Sequence, residues 1–410
     1  MGKVHLQMEY HDRFQAMDYV RAVVVLFVVA VHAWIAYSTR LPAGLAKFGG
    51  ESQLWEIVPV VDSQHWLGAD VIFSFADTWA MPLMFLLSGL FVQRSLVSRG
   101  TSGFIKARIK RIGVPFALSV ALMPIAYYPS YLQLSKDHGL LAFVNAWRST
   151  GAWPTGPAWF MGVLLVFDVI VGFALVGGKL LSAGKARGLL KVLSESPLKA
   201  YIAVLTISAV IYLPIAFAFP AGAKWFNLGP FMFQPNRLGN YFFYFVLGIL
   251  IGSVDLEAIA SAMNGKLARS WPALLFFTLA IFITLMVVLN GTAGKDPSVR
   301  KVAAIVGYVM LSCTGAFCVF ASCIRMGARR FRILGSIGSN AYGIYLTHYF
   351  FVTWAQFAVS NWNVAAFDKG LIVFVAATFA SWLASETFTA LVSRRKLDSR
   401  SKGALGYPTP

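Results

Sequence analysis

The sequence predicts an all-α polytopic membrane protein, with about ten transmembrane helices around a polar intramembrane cavity. Of its 410 residues, 58% are hydrophobic and only 13% are charged, where a soluble chain carries about 25% charged residues. Apolar segments long enough to span a bilayer recur along the whole length, the mark of a polytopic chain.

Ten spans follow: 20–40, 71–93, 112–132, 158–178, 200–219, 239–253, 272–290, 303–324, 339–358 and 369–390. They form a membrane domain over 20–390, between an N-terminal segment 1–19 and a C-terminal segment 391–410 that reads as disordered from Ser399. The sixth span is short, but its Tyr241-Phe242-Phe243-Tyr244-Phe245-Val246-Leu247 core is too apolar for a loop. The first apolar stretch lacks a small-residue cleavage site, which predicts a retained helix and not a leader. Loops 41–70, 133–157 and 220–238 are rich in Gly, Pro, Trp and Phe. Such loops are expected to fold over one mouth of the bundle.

The net charge is +18, and its distribution argues against nucleic acid as the partner. Sorted by alternating sides, 23 of the 35 Lys and Arg fall on the N-terminal side and nine on the other. That asymmetry predicts both termini in the cytoplasm of a bacterial inner membrane, with the basic face against anionic lipid. Cys313, Cys318 and Cys323 share one apolar segment without metal-ligand spacing, which reads as packing. No His, Asp or Glu pair within the apolar spans has the i, i+4 spacing of a helical metal site, so none is expected.

Arg21 and His32 stand in the first span with nothing polar between them. Eleven residues make roughly three turns, placing both on one helix face about 16 Å apart. Each is costly in lipid unless it faces protein or water. His32 suits a general base shielded from bulk water; a packed histidine is the competing reading. Asp18, three residues before Arg21, permits a local ion pair. Arg21 is then either an anchor or an attractor of anions. Arg108 and Arg111 share a helical spacing of three, suited to gripping phosphates or simply to a basic inner face. Asp77 in span two and Asp168 in span four each need a partner, for which Arg237 or a histidine would serve. Ser88-Gly89 permits close helix approach, with Arg94 following. His348, at mid-depth of span nine, either lines the His32 cavity or packs. Trp153 and Trp159 at the outer loops suit sugars.

Asp18-x-x-Arg21, Arg21-x10-His32, Phe85-x-x-Ser88-Gly89, Arg108-x-x-Arg111, Trp159-Phe160 and Tyr345-x-x-His348 together resemble the membrane-bound acyltransferase 3 family, in order and depth, over residues 18–348. Met81-Pro82-Leu83 and the lack of an appended esterase domain most resemble the branch related to the periplasmic-glucan succinyltransferase. The resemblance implies transfer of an acetyl or succinyl group from cytoplasmic acyl-CoA, a co-substrate and not a resident cofactor, to a hydroxyl of an extracytoplasmic carbohydrate. It implies His32 as the catalytic histidine, Arg21 as its motif partner, and Arg108 and Arg111 on the CoA phosphates. Asp18, Asp77, Ser88, Gly89, Arg94, Trp159, Asp168, Tyr345 and His348 would support that site. The family usually carries an acidic residue followed by Arg-Pro near the end of the last helix. Here Glu386 is followed by Thr387-Phe388, so it receives no role. The rival is a transporter or flippase of a glycan or small anion, in which Arg21, Asp77, Asp168 and His32 form a path. It would call for paired broken helices in two matching halves, which the sequence does not display.

Overall fold

The structure is a computed structural model. It describes the backbone of residues 2–404 except 43–44, 51, 176–183, 185–187, 189–190, 193–194, 220–224, 255–265, 292–296 and 328–330, and side chains between 15 and 392. Parts of the expected basic segments 179–199 and 254–271 therefore lie outside the described residues.

Each of the ten expected spans is mainly helical over its described residues. In chain order the elements are α1 (Gly2–Trp34), α2 (Ser52–Ile57), α3 (Leu67–Gly89), α4 (Val92–Arg108), a π turn (Ile109–Gly113), α5 (Val114–Leu134), α6 (Leu140–Ser149), α7 (Trp159–Ala174) and α8 (Pro197–Ala218). A hairpin of β1 (Phe226–Leu228) and β2 (Phe231–Phe233) follows, pairing antiparallel with Phe226 opposite Phe233. Then come α9 (Pro235–Gly252), α10 (Lys266–Arg269), α11 (Trp271–Gly291), α12 (Pro297–Gly327), α13 (Arg332–Ser339), α14 (Ala341–Val359) and α15 (Ala366–Ala404). Among the described residues, eight helices are long and apolar enough to cross a bilayer. The other two expected spans are α9 and α14, whose Asn, Tyr, Gln and His side chains lower their hydropathy. The chain is an all-α polytopic membrane protein.

The basic segment between the second and third spans is helical, and its α4 buries Val92, Leu96 and Phe104. Its change of direction falls at Gly100, whose φ of 68° a side chain would resist. At the C-terminus α15 runs to Ala404, past the expected onset of disorder at Ser399, since Arg, Lys and Leu there favour continuing a helix already nucleated in the span.

Close packing rests on small residues. A Cβ on Gly89 would meet the carbonyl of Phe245, and one on Gly248 or Gly252 would meet the carbonyl of Leu86 or Leu90. The α3 and α9 backbones therefore touch along a glycine seam. Elsewhere apolar side chains face outward: α11 exposes Phe276, Phe277, Ile283 and Val287, the surface that lipid covers.

The Trp-rich loops are folded onto one end of the bundle. Trp55 of α2 is fully buried and donates to Ser130 Oγ at 3.2 Å. Tyr127 of α5 donates to the Glu56 carbonyl. Lys369 Nζ lies 2.9 Å from Asp62 Oδ2 with both side chains buried, and also donates to the Ser360 carbonyl at 3.0 Å. Asp70 accepts hydrogen bonds from the Ser38 hydroxyl and from both Thr39 N–H and Oγ1. These bonds satisfy polar groups the loops would otherwise bury unpaired.

Candidate active site

Beneath those loops lies a cavity of about 290 Å³. The end of α1, the first half of α3, the start of α9, α2, the turn before α7 and the hairpin all contribute to its wall. His32 lines it from α1. Trp34 closes that helix, so the carbonyls of His32 and Ala33 belong to the last turn, which has no intrahelical donors. Gln356 of α14 supplies them, donating Nε2 to His32 O at 2.8 Å and to Ala33 O at 3.3 Å. The backbone carrying His32 is thereby fixed.

The His32 ring lies 5.3 Å from the His348 ring and 5.2 Å, edge to face, from Tyr349. His348 Nδ1 sits 2.8 Å from Tyr345 O and 3.2 Å from Ile344 O. Carbonyls only accept, so Nδ1 carries the proton and Nε2 presents a lone pair. That Nε2 is buried without a hydrogen-bond partner among the described residues, and so is His32 Nδ1. Two unsatisfied nitrogens on neighbouring rings are exceptional in a packed interior. Tyr345, also predicted as support, donates its hydroxyl to the Pro157 carbonyl and so holds the turn that opens α7.

Across the cavity Asp77 and Arg237 form a bidentate pair, with Nη1–Oδ1 of 2.8 Å and Nη2–Oδ2 of 2.7 Å. The guanidinium also lies over the Tyr308 ring, 4.5 Å from its centroid. Trp159 lines the cavity and packs edge-on against Trp225, centroids 5.3 Å apart. Glu56 completes the wall from α2. Its Oε2 accepts from Asn227 Nδ2 at 3.3 Å. Burial raises its carboxyl above the ordinary range, and the Asn227 bond opposes that rise.

The other predicted residues lie elsewhere. Arg21 pairs with Asp18 at 3.0 Å and covers Phe91, 5.1 Å from its centroid. It shares a helix with His32 but does not line the cavity. Arg94 donates to Val254 O at 3.0 Å, tying α4 to the end of α9. Ser88 bonds back to Met84 O at 2.9 Å. Arg108 turns inward: its Nε is 3.4 Å from Asp168 Oδ1 and its guanidinium covers Phe104. Arg111 is exposed. The expectation that spacing puts both on one face assumed an α-helix. A π turn over Ile109–Gly113 takes more residues per turn, and here Arg108 is buried against Asp168 while Arg111 is exposed. Asp77 and Asp168 thus both have arginine partners, the first the one anticipated and the second not. Glu386, given no role, accepts from Asn340 Nδ2 at 2.7 Å and joins α15 to the start of α14.

Sequence reasoning did not single out Glu56, Trp225, Tyr349 or Gln356. Only Gln356, a polar residue in an apolar span, carried a signal that would have found it. No group of three or more His, Cys, Asp or Glu that could hold a metal occurs among the described residues.

The acyltransferase domain family model matches residues 14–386. No curated protein and no solved structure matches the chain. The family match begins at the first span, reaches Glu386 in the last, and takes in every residue around the cavity. This chain therefore belongs to the acyltransferase 3 family and is a membrane acyltransferase acting on groups other than aminoacyl groups.

Proposed function

We propose that the protein is an O-acyltransferase of the bacterial inner membrane, its termini cytoplasmic, moving an acetyl or succinyl group from cytoplasmic acyl-CoA to a hydroxyl of an extracytoplasmic carbohydrate. The observation that carries this reading is His32, held by its backbone at the wall of an aromatic cavity with its Nδ1 buried and unpaired.

His348 fixes the tautomer. Its Nε2 lone pair accepts from His32 Nδ1–H through a bridging water, so that His32 Nε2 is the free base. His32 Nε2 takes the proton of the acceptor hydroxyl as its oxygen attacks the thioester carbonyl. The tetrahedral intermediate then collapses, the C–S bond breaks, and the departing CoA sulfur receives the proton back from the imidazolium. Thiol and ester are the products, and the histidine is restored.

The donor enters from the opposite, basic end. Arg111, exposed there, meets the CoA phosphates. Arg108, neutralised by Asp168, positions the helix that presents it. The Tyr342 hydroxyl donates to the Arg111 carbonyl at 2.6 Å, joining the π turn before α5 to α14 at that end. A void of about 10 Å³ between α5, α7 and α14 shares Pro157 and Tyr349 with the main cavity. It has room for about one water, and in the proposed reaction the pantetheine arm would part this seam to reach His32.

Sided proteoliposomes test the reading. Acyl-CoA on the basic side with a glycan acceptor on the loop side should yield acylated glycan. Product only when both are on one side would contradict it.

A further inference from the structure

The loop-end wall of the cavity contains a charge that the transfer chemistry does not use. Asp77 and Arg237 neutralise one another in their bidentate pair. Glu56 is then the one uncompensated carboxylate among the residues lining the cavity. It is 6% exposed, one oxygen is occupied by Asn227, and no hydrogen bond is formed by the other among the described residues. Its free oxygen faces a cavity in which a ligand could supply donors. The same cavity is lined by Trp159 and Trp225, set edge to face at 5.3 Å, and by Gln234.

A carboxylate acceptor in a cavity that two indoles also line matches a neutral pyranose. Vicinal hydroxyls donate to the carboxylate, and the apolar C–H face of the ring packs on an indole. The backbone is committed to this placement as well. Tyr127 bonds to the Glu56 carbonyl, and Trp55, one residue away, is anchored on Ser130.

We propose that Glu56, Trp159 and Trp225 form the acceptor subsite, which takes an uncharged sugar residue and disfavours a sugar bearing its own carboxylate. This rests on the acyl-transfer reading above and specifies its acceptor.

The test uses the full-length protein in nanodiscs with acyl-CoA, a neutral hexose oligosaccharide, and the oligosaccharide with the matching hexuronic acid. The wild type should show a KM for the neutral acceptor at least about tenfold below that for the uronic acid. Glu56→Gln, nearly isosteric, should raise the neutral KM about tenfold and narrow the discrimination, with the KM for acyl-CoA unchanged. Trp225→Ala, chosen in case that variant misfolds, should raise the KM for both acceptors. Calorimetric titration of both acceptors into His32→Ala protein should give the same order of affinity. Equal or better use of the uronic acid by the wild type would overturn the proposal. So would an unchanged neutral KM in both variants. If transfer still depends on His32 while acceptor choice is indifferent to charge, the subsite falls and the reaction stands. If neither acceptor is acylated or bound, both fall.

Discussion

His32 is incompletely satisfied, which is what suits it to the proposed role of base. A histidine in lipid ordinarily finds a partner for each nitrogen, yet its Nδ1 and the His348 Nε2 are both left open. Pairing the two fixes one tautomer and leaves one base. His348→Ala should therefore lower kcat by one to two orders of magnitude with KM for either substrate little changed, and His348→Gln, which keeps an acceptor, should recover part of the loss; steady-state kinetics on both variants checks this. Glu56 gives a stability signature of its own. Burial raises its carboxyl, and the groups around it are Asn227, Tyr127, Tyr349, His32 and the neutralised Asp77–Arg237 pair. A raised acid favours the folded state below its unfolded pKa of about 4.3, and that contribution fades as pH climbs through the folded value. Glu56→Gln should consequently melt higher than wild type at pH 7, the gap closing on acidification towards pH 4. Thermal unfolding in detergent at the two pH values decides it. His32, Asp77 and Trp159 were legible in the sequence because polar or amphipathic residues in apolar spans are conspicuous. Glu56 and Trp225 were not, because they sit in loops whose path over the cavity is set by contacts such as Trp55–Ser130 and Tyr127–Glu56, formed between distant parts of the chain.

At the scale of elements, two devices set the geometry. The glycine seam of Gly89, Gly248 and Gly252 lets α9 press against α3, which brings Arg237 to Asp77. Gly248→Val forces the backbones apart, and overpacking of this kind costs about 1–3 kcal/mol. A lower melting temperature and loss of transfer are expected together. The second device is the Lys369–Asp62 pair, which pins the loop after α2 to the start of α15. Lys369→Met strands a buried carboxylate at a cost of about 3–5 kcal/mol, whereas Lys369→Met with Asp62→Leu should recover most of it. Denaturant titration of both variants measures the difference. Ser88-Gly89 was readable as a site of close approach, but its partner helix was not. The Arg108–Arg111 spacing misled because a π turn has no distinct residue pattern. Only the structure reveals that the intervening residues unwind and send one arginine to Asp168.

For the whole molecule, the ten apolar periods were legible throughout, since lipid demands length and apolarity from each span. The structure adds the polarity of the bundle's two ends. One end is basic and carries Arg111. The other is roofed by α2, α6 and the hairpin over an aromatic cavity. His32 lies on the wall of that cavity, where under the proposed reaction a thioester from one side would meet a hydroxyl from the other. The most direct test is the rate of acyl transfer from acyl-CoA to a glycan hydroxyl by purified His32→Ala protein, with folding verified by its melting temperature. Loss of about 100-fold or more in kcat, with acyl-CoA still bound, is the predicted result; transfer at the wild-type rate would contradict it.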